Sequence, residues 1–588
     1  MLLKFELHPV QKIKQKPTEG VFFNPINECL PLNTENLYPL TKITEGYNFF
    51  SNSYKYFENN IPNWHKNYFN NCESNFKNSQ WWEIPDFDPE VGDIKAIWEL
   101  SRFEWVVQLA LLASTGKNDA INLLNDRLNN WIEENHTYKG VNWKCGQESS
   151  IRLMHLIIAA IILNQHNSPT KPLLELIEIH LRRIAPSISY AIAQNNNHGT
   201  SEAAALFIGG HFLSNNGLTH FIKYEKIGRK CLEERCSKLF SNNGCFSQYS
   251  VNYHRLALDT YCFCETYRIK NNLPSFTKAL YSKIKKAITW LEILTDKDTG
   301  DAPNIGANDG ARILNIFNLD YRDFRSSVQW SNLVFNKRMP YKPNENQLIL
   351  FKQLGINIID INYDRPINKK EILGSDDGFF IYKKNNVLLV FKRPIYNFRP
   401  SHSDSLHVDL WINGVNILRD GGSLSYNTTF EKVNYYSGTF SHNTVLFDSR
   451  NQMKKISRFL FGSWLKEQKF SFEFSDNYIK ILSGYRDAYG VSHTRTVVIK
   501  DHLIQIIDIV NGFKDTARLI FRLPPIKWTE NKNIQLNDIN INTLSSEICG
   551  NFIINNEYES KYYNSETSIP VISKLLVNNI QHTTNLLF

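Results

Sequence analysis

Four short segments carry residue types that could do acid–base, carboxylate-binding or metal chemistry. The first is Asn195-Asn196-Asn197-His198-Gly199-Thr200-Ser201-Glu202, which leads into an Ala-rich apolar run. At a helix N-terminus, an amide and an imidazole add to unpaired backbone N–H groups and the positive dipole end, so this segment suits a carboxylate. The same residues also read as an Asn-rich capping loop. The second is Gln248-Tyr249-Ser250-Val251-Asn252-Tyr253-His254-Arg255, opening the run LALDTYCFCETYR. Tyr249, Tyr253, Ala257 and Thr260 recur at helical spacing, so Tyr253 points where that face points. A phenol there could move protons, or could be core. Gln248, His254 and Arg255 flank it as candidate substrate contacts. The third set is His402, Asp420 and His442, spaced by 18 and 22 residues. Two imidazoles and a carboxylate suit zinc, although 16 His are scattered along the chain and such triples arise easily. The fourth is Trp143 with Glu148 and Arg152, a carboxylate and a guanidinium at i and i+4 that could bind substrate or form an ordinary helix ion pair.

These residues fall on two kinds of element. Between about 94 and 295 the period is helical, with helices expected near 94–115, 149–164, 171–193, 200–214, 253–269 and 279–294. Linkers rich in Asn, Gly, Ser and Pro separate them, which suggests an array of helical hairpins, possible as a toroid. Beyond about 375 the period becomes two. GFFIYKKNNVLLVFKR reads as a hairpin around Lys-Asn-Asn, and LHVDLWINGVNILRD as a second one turning at Asn413-Gly414. NTVLFD, RTVVIKDHLIQIIDIV, ARLIFRL and PVISKLLV add strands, which indicates a β-sandwich. The expected organisation is a segment 1–90 packing on the helical domain, the helical domain 91–300, a connection 301–374 and the β-sandwich 375–588.

Bulk properties narrow the class. At 588 residues the chain exceeds one compact core. A formal charge of +8, read as spread along the sequence, provides no nucleic-acid tail and is compatible with an anionic substrate. Nine cysteines form no disulfide framework, and unpaired thiols lean towards a reducing compartment. The N-terminal residues lack the apolar core of a secretory signal, and no stretch approaches the roughly 20 apolar residues of a membrane span.

Taken together, GDIKAIWELSRFEW, WKCGQESSIRL, NNNHGTSEAAALFIGG and YHRLALDT, followed in order by RPSHSDSLHVDLWINGVNILRDGG and SGTFSHNTVLFDSRNQM, resemble the heparinase II/III-like polysaccharide lyases. The similarity spans most of the chain and is greatest to members associated with bacterial surface-polysaccharide clusters; the helical part also resembles alginate lyases. It implies a multidomain α+β fold, an incomplete (α/α) toroid followed by an antiparallel β-sandwich. It further implies β-elimination in a uronate-containing acidic polysaccharide, with Asn197 neutralising the carboxylate beside His198 and Tyr253 as base, acid or both. His402, Asp420 and His442 match the family's ligands for a structural zinc, and no organic cofactor is implied. Family members are usually exported.

One departure stands out. Many relatives have His-x-His-x-Asp where this chain has Pro400-Ser401-His402-Ser403-Asp404. Three readings follow: Tyr253 handles both proton steps, or His402 is catalytic and the metal site is absent, or lyase activity is lost. The rival classes are a glycoside hydrolase, for which Glu148, Glu202, Asp301 and Asp309 offer carboxylates, and a non-catalytic glycan-binding or assembly protein.

Overall fold

The computed structural model describes residues 17–85, 87–313, 320–358, 361, 371–373, 377–384, 386–475, 478–500, 502–526, 528–530, 533–536, 547–549 and 551–587. It divides into two compact units. The first comprises the described residues of Met1–Gly244, Arg255–Ile288 and Gly310–Arg365; the second, those of Cys245–His254, Thr289–Asp309 and Pro366–Phe588.

The first unit is helical. Its principal helices are α1 (Lys95–Ser101), α2 (Glu104–Ala113), α3 (Asn118–Glu134), α4 (Gly146–Ile162), α5 (Lys171–Ile184), α6 (Asn197–Asn215) and α7 (Ile222–Leu239). By residue number, α8 (Val251–Lys270) and α9 (Lys278–Leu294) belong to both units. Every residue of α4 is buried: its second half is apolar all round, and its first half buries Gln147, Glu148 and Arg152 on internal hydrogen bonds. Helices α6 and α7 approach at two glycines: a Cβ on Gly210 would lie 2.4 Å from Glu225 N, and one on Gly228 2.3 Å from Phe207 N. Neither position can carry a side chain without separating the helices.

Three helical expectations change. The single helix over 94–115 is two, because Phe103 adopts φ 69° between α1 and α2. The stretch 171–193 is broken by a 3₁₀ turn at Ala185–Ser187, which contains Pro186. Helices α3 and α7 were absent from the expected set. Their polar faces interrupt the apolar period: α3 buries Ala120, Ile121, Leu124, Leu128, Trp131 and Ile132 while spacing them with Asn and Asp. Two more helices, Arg325–Asn336 and Glu345–Gln353, occupy part of the stretch read as a connection.

The second unit is built of antiparallel sheets. One runs β1 (Glu371–Leu373), β2 (Phe379–Lys384), β3 (Val387–Lys392), β4 (Val408–Ile412) and β5 (Val415–Leu418), in that order. Asn413 (φ 49°) and Gly414 (φ 78°) make the β4–β5 turn, the left-handed pair that a two-residue hairpin demands. Next along the chain come β6 (Val445–Phe447), the hairpin β7 (Lys454–Ser457) and β8 (Leu460–Gly462), then β9 (Lys466–Phe474), β10 (Tyr478–Arg486), β11 (Ser492–Lys500) and β12 (Leu503–Asn511). The remaining strands are β13 (Ala517–Arg522), β14 (Trp528–Glu530), β15 (Asn533–Leu536), β16 (Glu547–Cys549), β17 (Ile553–Glu559), β18 (Thr567–Leu575) and β19 (Gln581–Leu587). Strand order is β9-β10-β11-β12-β19-β16-β15-β14 in the large sheet and β6-β13-β18-β17 in a four-stranded one. Burial alternates along β10, β11 and β12, so one face of each is apolar. Phe380, Leu389 and Leu410 from one sheet share a core with Ile481, Val497 and Ile504 from another, which makes the unit a sandwich.

All nine cysteines are free and five are buried. No described helix is long and apolar enough to cross a membrane.

Candidate active site

In the helical unit, Asn196 caps α6, its side chain accepting from His198 N at 3.1 Å. Arg235 supports the preceding turn by donating to Ile192 O and Asn195 Oδ1. Asn197 is therefore the first helical residue. It is buried, and its Nδ2 donates to Gln147 Oε1 at 2.5 Å. Gln147 lies in the first turn of α4 and is a partner that spacing does not reveal. His198 is half-buried.

The expected i,i+4 pair of Glu148 with Arg152 is replaced by other bonds. Both oxygens of Glu148 accept from Arg102, at 2.7 and 3.0 Å, and Arg102 also pairs with Glu99. Arg152 instead donates to His180 Nε2, Asn142 O and Ser149 Oγ. Burial draws its pKa down to about 9. Trp143 is enclosed by the rings of Trp131, Tyr138 and His180. Arg255 lies over the rings of Tyr321 and Phe324, at 4.2 and 4.3 Å, and donates to Tyr321 O. In the sheet unit His254 stacks on Trp290 with ring centroids 4.5 Å apart. Trp143, Glu148, Arg152, His254 and Arg255, which the sequence offers as candidate substrate contacts, are all buried. Gln248 is half-buried and stays a candidate.

Tyr253 is held by the start of α8. Ser250 Oγ accepts from Tyr253 N at 3.1 Å and donates to Ala307 O at 2.6 Å. Val251 N donates to Ile305 O, so the Gly-, Asn- and Asp-rich stretch 300–310 buttresses this turn. Gly306 (φ 80°) has no room for a Cβ, which would lie 2.3 Å from Tyr249 O. The Tyr253 hydroxyl meets that of Tyr426 at 2.9 Å. Tyr426 is half-buried, packs edge-on against Phe459 and Tyr563, and was not singled out by the sequence. An ordinary phenol has a pKa of about 10, and work as a base calls for a lower one. The opposite holds: burial first, then the Asp309 carboxylate and Tyr426, push it well above its ordinary value. The phenol rests protonated.

His402, Asp420 and His442 converge, as wholly or nearly wholly buried side chains whose ligand atoms lie within 4.8 Å of one another. His402 Nδ1 is 3.2 Å from His442 Nε2, which is 3.4 Å from Asp420 Oδ2. His442 Nδ1 lies 2.8 Å from Gly438 O. A carbonyl only accepts, so that nitrogen carries the proton and Nε2 presents a lone pair to the cluster. Burial, with His442 as the next cause, holds the His402 imidazole well below its usual pKa, and burial does the same for His442. Both are neutral. Asp420 Oδ1 accepts from Gly422 N at 2.8 Å, whereas Oδ2 accepts no hydrogen bond among the described residues. A buried carboxylate oxygen facing two imidazole nitrogens fits a divalent cation. Ser423 Oγ joins this cluster to the Tyr253 buttress, lying 3.3 Å from His402 Nε2 and accepting from Asn308 N at 3.1 Å.

Family models match in two parts: "Heparinase II/III N-terminus" over residues 40–311 and "Heparinase II/III-like, C-terminal" over 367–550. These 272 and 184 residues total 456 of the chain's 588. No curated protein sequence matches it. Among solved structures, a heparinase III is similar at 15% identity and TM-score 0.65, covering 95% of this chain and 87% of that one. A heparan sulfate lyase HepC mutant from Pedobacter heparinus matches at 17% and 0.58, covering 95% and 84%. The Streptomyces coelicolor A3 chondroitin AC lyase, in complex with chondroitin sulphate, matches at 9% and 0.51, covering 83% and 74%. The fold is the expected toroid followed by a sandwich, and with both halves matched in order the chain belongs to the heparinase II/III-like family of polysaccharide lyases.

Proposed function

We propose that this lyase cleaves a uronate-containing acidic glycan by β-elimination, with Asn197 and Tyr253 as its catalytic residues. The C5 proton of a uronate is weakly acidic because the adjacent carboxylate is already negative. Strong hydrogen bonds to that carboxylate make the enolate-like intermediate accessible. Asn197 supplies such a bond, exchanging Gln147 for the substrate, with the positive end of α6 behind it. In its deprotonated form Tyr253 takes the C5 proton, the C5–H electrons form the C4=C5 double bond, the C4–O bond breaks, and the leaving oxygen receives that proton from the re-formed phenol, which regenerates the phenolate. Pro400 stands where many relatives have a second His, so one group serves both steps. The observation that carries this reading is the Tyr253–Tyr426 hydroxyl pair at 2.9 Å, two phenols able to share a proton.

His402, Asp420 and His442 would hold a zinc ion, which makes His402 a ligand rather than a base. When bound, the ion would balance Asp420 and tie three chain segments together, a structural part. The producer's own surface polysaccharide is the first substrate to try. Incubation with a panel of acidic polysaccharides should yield products with the ultraviolet absorbance of an unsaturated uronate. New reducing ends without that absorbance would indicate hydrolysis, and no new ends from any member would leave only glycan binding.

A further inference from the structure

The hairpin β7–β8 has a tip that folding alone does not explain. Ser457 pairs with Leu460, so Arg458 and Phe459 are its two turn residues. Such turns ordinarily hold Gly, Asn or Asp, which are small, polar and tolerant of positive φ. Neither residue here has positive φ, and Phe459 is 43% exposed. Ile456, Leu460 and Trp464 are also exposed, at 55%, 37% and 38%. Isolated exposed apolar residues are normal, but a cluster on one short hairpin marks an interaction surface.

The tip is pinned. Arg458 Nη1 donates to Tyr426 O at 3.1 Å and Thr428 O at 2.8 Å. Phe459 meets the Tyr426 ring edge-on, with centroids 5.2 Å apart, and Tyr426 in turn meets the Tyr253 hydroxyl. An exposed aromatic face therefore lies one residue away from the proposed proton-transfer group. Charge is also concentrated here. Residues 449–466 contain five basic side chains and no acidic one, against a total of +8 for the chain. Lys454 and Lys466 are exposed.

We infer that the β7–β8 hairpin is a glycan-binding arm that takes the acidic polysaccharide beyond the reacting sugar, with Phe459 as a platform for a pyranose ring and Lys454 and Lys466 facing its carboxylates or sulfates. This rests on the lyase reading above. Aromatic faces supply apolar contact at low entropic cost, and exposed cations add a salt-screened attraction.

Binding is measured by affinity electrophoresis and titration calorimetry on the full chain carrying Tyr253→Phe, to suppress turnover, with heparan sulfate, chondroitin sulfate, alginate and neutral dextran. Phe459→Ala should weaken binding of the retained acidic polymer about tenfold with unchanged salt dependence. Lys454→Glu combined with Lys466→Glu, which leaves Tyr426 untouched, should weaken it about tenfold and flatten the salt dependence. In the otherwise wild-type enzyme, Lys454→Glu combined with Lys466→Glu should raise KM for polymer with kcat within about twofold. Unchanged affinity in both variants overturns the arm. So does a wild-type dimer that these variants convert to monomer without loss of glycan affinity, since the hairpin would then serve a second copy. If no acidic polymer is retained or cleaved by the wild type, the lyase reading itself has failed, whereas retention insensitive to the hairpin variants leaves that reading intact.

Discussion

Two buried carboxylates, one in each unit, receive different treatment. Glu148 in the helical unit has a resident cation: Arg102 donates to both of its oxygens. Asp420 in the sheet unit has two neutral imidazoles in that place, one backbone N–H on Oδ1, and no hydrogen bond to Oδ2 among the described residues. A buried charge is tolerated when it is paired and hydrogen-bonded. Glu148 meets that condition by itself and is scaffold. Asp420 has no such cation among the described residues, and burial raises its pKa well above the usual carboxylate range instead. Burial and residue type do not separate the two; the partner does.

The largest effect expected is on turnover. Tyr253→Phe removes one oxygen and keeps the ring, so folding should be preserved while kcat falls by about 10²–10⁴-fold, the usual contribution of a positioned acid or base. Near-normal rates on a confirmed substrate would remove Tyr253 from the chemistry. Arg102→Met comes next. It strands Glu148 and should cost about 3–5 kcal/mol of folding stability, the scale for one partner of a buried pair. Chemical denaturation measures it, and a loss below about 1 kcal/mol, the scale of an exposed pair, would show that the bridge is not the scaffold described.

Asp420→Asn sharpens the contrast. In chelator-treated protein burial already favours the protonated carboxyl, so the amide is a near-isosteric replacement and stability should change by less than about 1 kcal/mol. Added zinc should raise the Tm of the wild type and not that of the variant. Should Asp420→Asn instead destabilise the chelated protein as severely as Arg102→Met, Asp420 would be scaffold too.

Which features were legible follows the same division between local pattern and tertiary partner. The change from helical period to period two separates α4 and α6 from β10–β12, and Asn413-Gly414 marks its turn, because those signals lie within a few residues. The Glu148–Arg102 pair spans 46 residues, so an i,i+4 rule finds the wrong partner in Arg152. Gln147, Tyr426 and Asp309 were passed over as partners for the same reason: each reaches its partner only through the fold. A local signal was available for the β7–β8 arm, in the run of basic residues without acidic ones, but a whole-chain charge conceals it.

Tyr253 falls on the Asp420 side of the comparison, and the smallest prediction tests that placement. Its phenol has no lowering influence among its principal causes: burial, the Asp309 carboxylate, and the charge and hydrogen bond of Tyr426 all raise it. A base must be deprotonated to act, and a raised pKa makes that form scarce at neutral pH. On a confirmed substrate kcat/KM should therefore climb with pH, by at most about tenfold per unit, and level off only on the alkaline side. Tyr426→Phe deletes two of the raising causes, the hydroxyl's charge and its hydrogen bond, so the rising limb should move to lower pH. Its height changes less than in Tyr253→Phe, because the phenol that transfers the proton is still present. A plateau already reached near neutrality, in both proteins alike, would place the base on another residue and leave Tyr253 as the proton donor to the leaving oxygen, a role that its protonated resting state already suits.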